Sequence, residues 1–349
     1  MQEIERLGRF DIILIITLSL CCGNTFSQIY PNPVVDSLLE TGITETIDQN
    51  YSEAKSTFIQ LDKLFPELPL GKIYITNVYI AQAFDYSCEF QTDTIDYYLG
   101  AARKEAENLV NKNDKNIWNQ YSLALCEGIY SYFQALNNNW ISAFTNGLNS
   151  ISGFQECLKL NTNFYDAYTA LGTYKYWRSR KTQIVKWLPF VPDEEDDGIK
   201  YLSMAIDHST YTKYMAVNSL IWIYIDRKNF SNAEKLALIA LKRFPDSRQF
   251  KLEYARALEE SNPNKAIQVY SDVLNDYLKI KGLNHCNEIK LKHIIAQQYY
   301  KVGDYKKALR LCNEILNIKN LSDYEKDKLG KRIERVKQLK ENIEDESSK

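Results

Sequence analysis

The stretch "NFSNAEKLALIALKRFPDS", Asn229 to Ser247, carries a phrase that returns along the chain. An Asn or Asp, an aromatic ring, two free positions and then Ala occur as Asn50-Tyr51-x-x-Ala54, Asn139-Trp140-x-x-Ala143, Asn229-Phe230-x-x-Ala233 and Asp304-Tyr305-x-x-Ala308. Looser copies read Asp96-Tyr97-x-x-Gly100 and Asn262-Pro263-x-x-Ala266. Physically, the phrase is a helix start: the polar side chain accepts hydrogen bonds from first-turn amides, the ring covers a neighbouring helix end, and the Ala permits close approach. In the quoted copy Ala233, Ala237 and Ala240 follow on one helical face, and Pro245 ends the helix. Before it, "YMAVNSLIWIYIDRKN" is a second helical segment with Val217, Leu220, Ile221 and Tyr224 on its packing face. The two predict an antiparallel helix pair.

That pair resembles a tetratricopeptide repeat. Val217, Leu220, Tyr224, Ala233, Ala240 and Pro245 match the family pattern, whereas Ile221 replaces its first Gly and Lys228 takes the turn-Gly place. Tyr299, Gly303, Asp304, Tyr305 and Ala308 repeat the order near the end; "NYSEAKSTFIQLDKLFPEL" matches a second half through Ala54, Phe58 and Pro66, and "YTALGTYKYW" a first half through Tyr168, Leu171 and Gly172. The resemblance implies an all-α, right-handed superhelical solenoid of about seven antiparallel pairs, each burying its apolar face against the next. The array is expected over residues 28–320, with 321–349 as a polar capping helix and tail.

Composition agrees with a helical chain. Of 349 residues, 13 are Gly and 8 Pro, few for a many-turned β fold, and the net charge of −2 supplies no basic field for nucleic acid. The first segment reads as an export signal: "IILIITLSLCC", Ile12 to Cys22, is apolar and uncharged, and Thr25 and Ser27 stand where a signal peptidase reads small residues. Residues 1–27 are therefore expected to be removed, placing the chain in the periplasm or at the outer-membrane periphery of a Gram-negative bacterium. Acylation at Cys21 or Cys22 is the weaker alternative, since Leu20 or Cys21, neither of them small, would precede the modified residue. The other cysteines, Cys88, Cys126, Cys157, Cys286 and Cys312, form no Cys-x-x-Cys unit and read as buried thiols, with one disulfide still open in an oxidising compartment.

One interval departs from the repeat. From Gly172 to Gly198 the step is 26 residues, whereas the matching step from Ile221 to Ala233 is 12, so 14 extra residues lie between the two helices of one pair. The insertion, 178–197, starts basic (Arg178, Arg180, Lys181), turns apolar (Trp187, Leu188, Phe190, Val191) and ends acidic at 193–197. The acidic end suits a helix N-terminus. The apolar centre suits either cover for the superhelix or a docking wedge formed by Trp187 and Phe190. This segment also resembles the central part of a eukaryotic outer-membrane family with tetratricopeptide-like repeats, a likeness that transfers no function.

Catalytic motifs are absent. The three histidines form no His-Glu-x-x-His pair, and no Gly-rich phosphate loop, nucleophile elbow or calcium loop occurs. The expectation is a non-catalytic protein without metal or cofactor. In tetratricopeptide arrays the first helix of each pair lines the concave groove, so the resemblance places Met215, Asn218, Trp222 and Ile225 there, with Tyr176 and Tyr300 in related positions. Aromatic rings beside an amide suit an extended peptide or a helix in a groove. No repeated set of basic and amide residues marks a carboxylate-clamping groove. The expected role is an envelope adaptor or assembly scaffold that binds a protein or peptide. A membrane-associated or lipid-anchored accessory protein and a glycan-binding or glycan-processing protein are the alternatives.

Overall fold

The computed structural model describes residues 28–181 and 193–347. The segment read as an export signal, and Trp187 and Phe190 of the insertion, lie outside the described residues. Among those described there are fifteen helices, seven antiparallel pairs followed by one more helix. The pairs are α1 (Pro33–Ile47) with α2 (Tyr51–Leu64), α3 (Leu70–Tyr86) with α4 (Thr92–Lys112), and α5 (Ile117–Leu136) with α6 (Trp140–Leu160). After them come α7 (Asp166–Lys181) with α8 (Glu195–His208), α9 (Lys213–Asp226) with α10 (Phe230–Arg243), α11 (Arg248–Leu258) with α12 (Pro263–Leu278), and α13 (Cys286–Lys301) with α14 (Tyr305–Leu316). The last helix is α15 (Asp323–Ser347), whose buried Leu329, Val336, Leu339 and Ile343 close the C-terminal core. The whole is an all-α superhelical solenoid of tetratricopeptide-like helix pairs.

The recurring phrase starts helices as its chemistry requires. Asn50, Asn139, Asn229, Asn262 and Asp304 are the N-caps of α2, α6, α10, α12 and α14. The side chains of Asn229, Asn262 and Asp304 accept from amides three residues on, at 3.4, 3.1 and 3.1 Å. Before four of these caps the chain turns through a positive φ, at Gln49, Asn138, Lys228 and Gly303. The copy at Asp96-Tyr97 is different. Its N-cap is Gln91, so Asp96 lies inside α4 and Tyr97 is 71 % exposed. The residue four places after that cap, where Ala233 stands in α10, is the buried Ile95, not Gly100.

Close approach at this fourth place holds the pairs together. A methyl group on Gly172 would lie 2.8 Å from the Gly198 carbonyl oxygen, and one on Gly198 would lie 2.7 Å from that of Gly172. These glycines face each other across α7 and α8, so the two helices flanking the insertion are one pair. The acidic end serves α8 as expected: Glu195, Asp196 and Asp197 sit in its first turn. Between α5 and α6 the seam is also small, with Ser150 Oγ donating to the Ala124 carbonyl at 2.7 Å and Ser131 Oγ to that of Ala143 at 2.6 Å.

Contacts distant in sequence join one edge of the array to the other. The last turn of α3 meets the ends of helices in the later pairs: Arg248 Nε, at the start of α11, donates to Asp85 Oδ1 at 3.2 Å, Tyr277 Oη, near the end of α12, to the same oxygen at 2.7 Å, and Asn287 Nδ2, at the start of α13, to the Asp85 carbonyl at 2.7 Å. The turn after α1 does likewise, with Gln49 Oε1 accepting from the Arg248 amide at 3.0 Å. Tyr211, leading into α9, donates to Asp36 on α1 and accepts from the Tyr30 amide at 2.8 Å. The first two pairs therefore lie edge to edge against the helix ends and connections of pairs five to seven. Cys126, Cys157, Cys286 and Cys312 are buried free thiols, and Cys88 is a half-buried one. No described helix is long and apolar enough to cross a membrane.

Candidate functional site

Helices α7 and α9 adjoin through short polar side chains. Thr169 Oγ1 donates to Thr212 Oγ1 at 2.9 Å, and Thr173 Oγ1 to Ser219 Oγ at 3.1 Å. On α9, Met215 and Trp222 remain 49 % and 42 % exposed. Both are large apolar side chains two turns apart on one face of α9. Asn218 sits between them, half-buried, and its Nδ2 donates to Glu253 Oε1 on α11.

Glu253 is the group that sequence reasoning missed. It is 1 % exposed and meets amides rather than a cation: Gln249 Nε2 also donates to its Oε1, at 3.2 Å. Burial pushes this carboxyl up to about 8, while the side-chain donors of Gln249, Asn218 and Trp222 pull the other way. Oε2 has no partner within hydrogen-bond geometry. The carboxyl is closed off from solvent and positions Asn218 and Trp222 from behind. A signal for it exists in the sequence. Ala233 and Ala266 are 33 residues apart, and the same step carries the core residue Leu220 to Glu253, a carboxylate at a packing position.

The other predicted residues divide. Ile225 is 9 % exposed and packs with Val217, Ile221 and Ala233, so it belongs to the core rather than the groove. Tyr176 is fully buried; its Oη donates to Asp226 Oδ2 at 2.7 Å, and burial together with that bond raises its phenol above the ordinary range. It braces the end of α9 and offers nothing to a ligand. The two are buried in different places: Tyr176 packs with Leu202, Ala205 and Leu220, and Ile225 lies in the core that α9 forms with α10. Tyr300 is half-buried, 5.5 Å from the Tyr305 ring, far along the chain from the α9 face. Met215, Asn218 and Trp222 thus form one constellation that Tyr176, Ile225 and Tyr300 do not join.

Consecutive antiparallel helix pairs with buried small residues at their crossings define the class: a helical-repeat protein with a tetratricopeptide-like fold. Neither a protein-family model nor a curated protein matches the chain. Among solved structures, similarity extends to PilW, described as a widely conserved type IV pilus biogenesis factor, at 14 % identity over 73 % of this chain and 98 % of that one, with a TM-score of 0.48. It extends also to TTC0263, a tetratricopeptide-repeat protein of Thermus thermophilus, at 13 % identity over 64 % and 98 % of the two chains, TM-score 0.40. A monomeric mutant of IFIT1 with Gppp-AAAA aligns at 13 % identity over 79 % of this chain and 58 % of that one, TM-score 0.43.

Proposed function

We propose that the protein is a non-catalytic adaptor or assembly scaffold of the cell envelope, and that an extended peptide of its partner lies on the inner face at Met215 and Trp222. The observation that carries the reading is the exposure of these two side chains on a helix whose other large apolar groups are buried or half-buried. Asn218, braced by Glu253, would orient the peptide backbone between them. The envelope assignment rests on the apolar run Ile12 to Cys22. The test is affinity capture from crosslinked envelopes with residues 28–349, beside Met215→Ala/Trp222→Ala. A specific protein, retained at least about tenfold less by the double variant at unchanged melting temperature, is the expected result, since central anchors of an interface carry most of its binding energy. Equal retention by both would end the groove assignment.

A second reading, membrane association, is favoured by a different observation. From Gly128 to Gln155 the sequence has no charged residue, and the hairpin tip there exposes Tyr132, Trp140, Ile141 and Phe144. It predicts co-sedimentation with lipid vesicles that Ile141→Ser/Phe144→Ser abolishes. Vesicle binding undiminished by that change would remove the tip from consideration.

A further inference from the structure

Ala233 and Ala308 hold equivalent places 75 residues apart, and the same step carries Met215 to Lys290 and Asn218 to His293. The inner face therefore changes character at its C-terminal end. Lys328, Arg332 and Arg335 join from α15, at i, i+4 and i+7 on one stripe of that helix. Arg332 Nη1 stands 3.3 Å from His293 Nδ1, Lys290 Nζ donates to Ser87 Oγ at 2.8 Å, and Lys328 Nζ lies 5.6 Å from the Tyr324 ring centre.

Among the described residues none of these four cations is in an ion pair with a carboxylate. The acids closest to them are committed or face water: Glu288 pairs with Lys292 and His285, Glu325 accepts from the His285 amide and from Ser322, and Glu89 and Asp327 beside Tyr324 are exposed. The cations instead act on one another. Burial lowers Lys290 further in company with Arg332 and Lys328, and burial with Arg332 and Arg335 holds His293 down to about 4. His293 is 1 % exposed and neutral; its Nδ1 faces a guanidinium and so accepts, which places its proton on Nε2, a buried donor with no partner. Cations thus gather here with neutral acceptors, Ser87 Oγ and His293 Nδ1, and no anionic one among the described residues. Bringing like charges together at a partly buried site is unfavourable unless an anion joins them.

We propose that Lys290, Lys328, Arg332 and Arg335 form an oxyanion site, and that it takes the carboxylates of an acidic segment in the peptide assigned above to the inner face. The inference rests on that peptide-binding reading. The stripe on α15 is about 10 Å long, and alternate side chains of an extended peptide recur about every 7 Å, so two acidic residues on one side of the peptide reach adjacent cations. A long polyanion fits less well, because Glu334, Glu341 and Glu344 of the same helix flank the stripe and the chain is net acidic. Among the described residues the cluster occurs once rather than in every pair, which is why no repeated basic set marks it in the sequence.

The test titrates the full chain against two fluorescein-labelled decapeptides, one alternating Glu and Ala, the other Gln and Ala, with inorganic pyrophosphate and a short oligouridylate as further probes. The expected result is saturable binding of the Glu peptide at least about tenfold tighter than the Gln peptide, weakened by added salt. Lys290→Gln/Arg332→Gln should remove that preference while Met215→Ala/Trp222→Ala keeps it. Lys328→Gln/Arg335→Gln, at two exposed positions, serves if the first pair lowers the melting temperature. Equal binding of the two peptides overturns the site yet leaves capture through Trp222 intact as evidence for the groove. Loss of Trp222-dependent capture with the Glu preference retained does the reverse. Oligouridylate binding tighter than the Glu peptide, and lost in the Gln variants, would overturn the peptide assignment, as would tight pyrophosphate binding alone.

Discussion

Glu253 shows how one residue can carry both packing and pH dependence. A carboxyl in the place of Leu220 is tolerated because Asn218 and Gln249 donate to it and because it keeps its proton, with burial pushing it up to about 8 from 4.5. The folded state therefore binds more protons than the unfolded one between those values, so stability is greatest at the acid end of the window and falls as pH rises through it, on the order of 1.4 kcal/mol per unit at most. Glu253→Gln keeps the shape and removes the ionisation. Thermal melts should show parent and variant nearly equal at about pH 5 and the variant higher by several degrees at about pH 9, where the parent carries a buried charge. A parent whose melting temperature does not fall between the two conditions relative to the variant would mean that the carboxyl reaches water. His293 has the opposite sign. Held down to about 4 from 6.5, it favours the fold above 6.5, and that contribution is lost as pH falls toward 4.

At the scale of the helix pair, fold was written in the sequence because its signals are local. A cap and a small residue four places after it recur at α2, α6, α10, α12 and α14, with a positive-φ turn just before the cap in all of these but α12. Where the small residue was replaced by Ile95, the cap by Gln91, the signal slipped by five residues to Asp96-Tyr97. The packing environment at two glycines gives opposite expectations. Gly172→Ala drives a methyl group to within 2.8 Å of the Gly198 carbonyl and should cost about 1 to 3 kcal/mol by urea denaturation. Gly100→Ala has nothing within 4 Å and should gain up to about 1 kcal/mol from helix propensity. A third substitution tests the turn: Lys228 is exposed with φ 57°, so Lys228→Gly should stabilise by about 1 kcal/mol. Gln49, with φ 64°, should give no such gain as Gly, because its side chain holds the Arg248 amide. Equal gains at both positions would show that this bond contributes nothing.

The contacts that join the two edges were not legible in this way. They depend on single residues 163 to 202 positions apart, Asp85 with Arg248, Tyr277 and Asn287, and nothing periodic marks them. The candidate site was partly legible for the same reason: Met215 and Trp222 follow from the repeat register, whereas the burial of Tyr176 and Ile225 depends on how closely neighbouring pairs approach. These edge contacts change what the molecule should do when it unfolds. An open solenoid melts as a chain of nearest neighbours, each pair coupled only to the next. Here the first pairs also hold the last ones, so loss of either end removes support from the other. Asp85 is the place to break the connection, since its carboxylate is almost buried and its loss leaves the Arg248 guanidinium, 14 % exposed, without a counter-charge. Asp85→Ala should destabilise by about 3 kcal/mol, split one cooperative transition into two, and raise the radius of gyration in small-angle scattering. Asp85→Asn retains an acceptor for Tyr277 Oη and should fall between the parent and the Ala variant. A single unshifted transition in Asp85→Ala, at unchanged radius, would mean that the pairs are held by their neighbours alone and that the edges only touch.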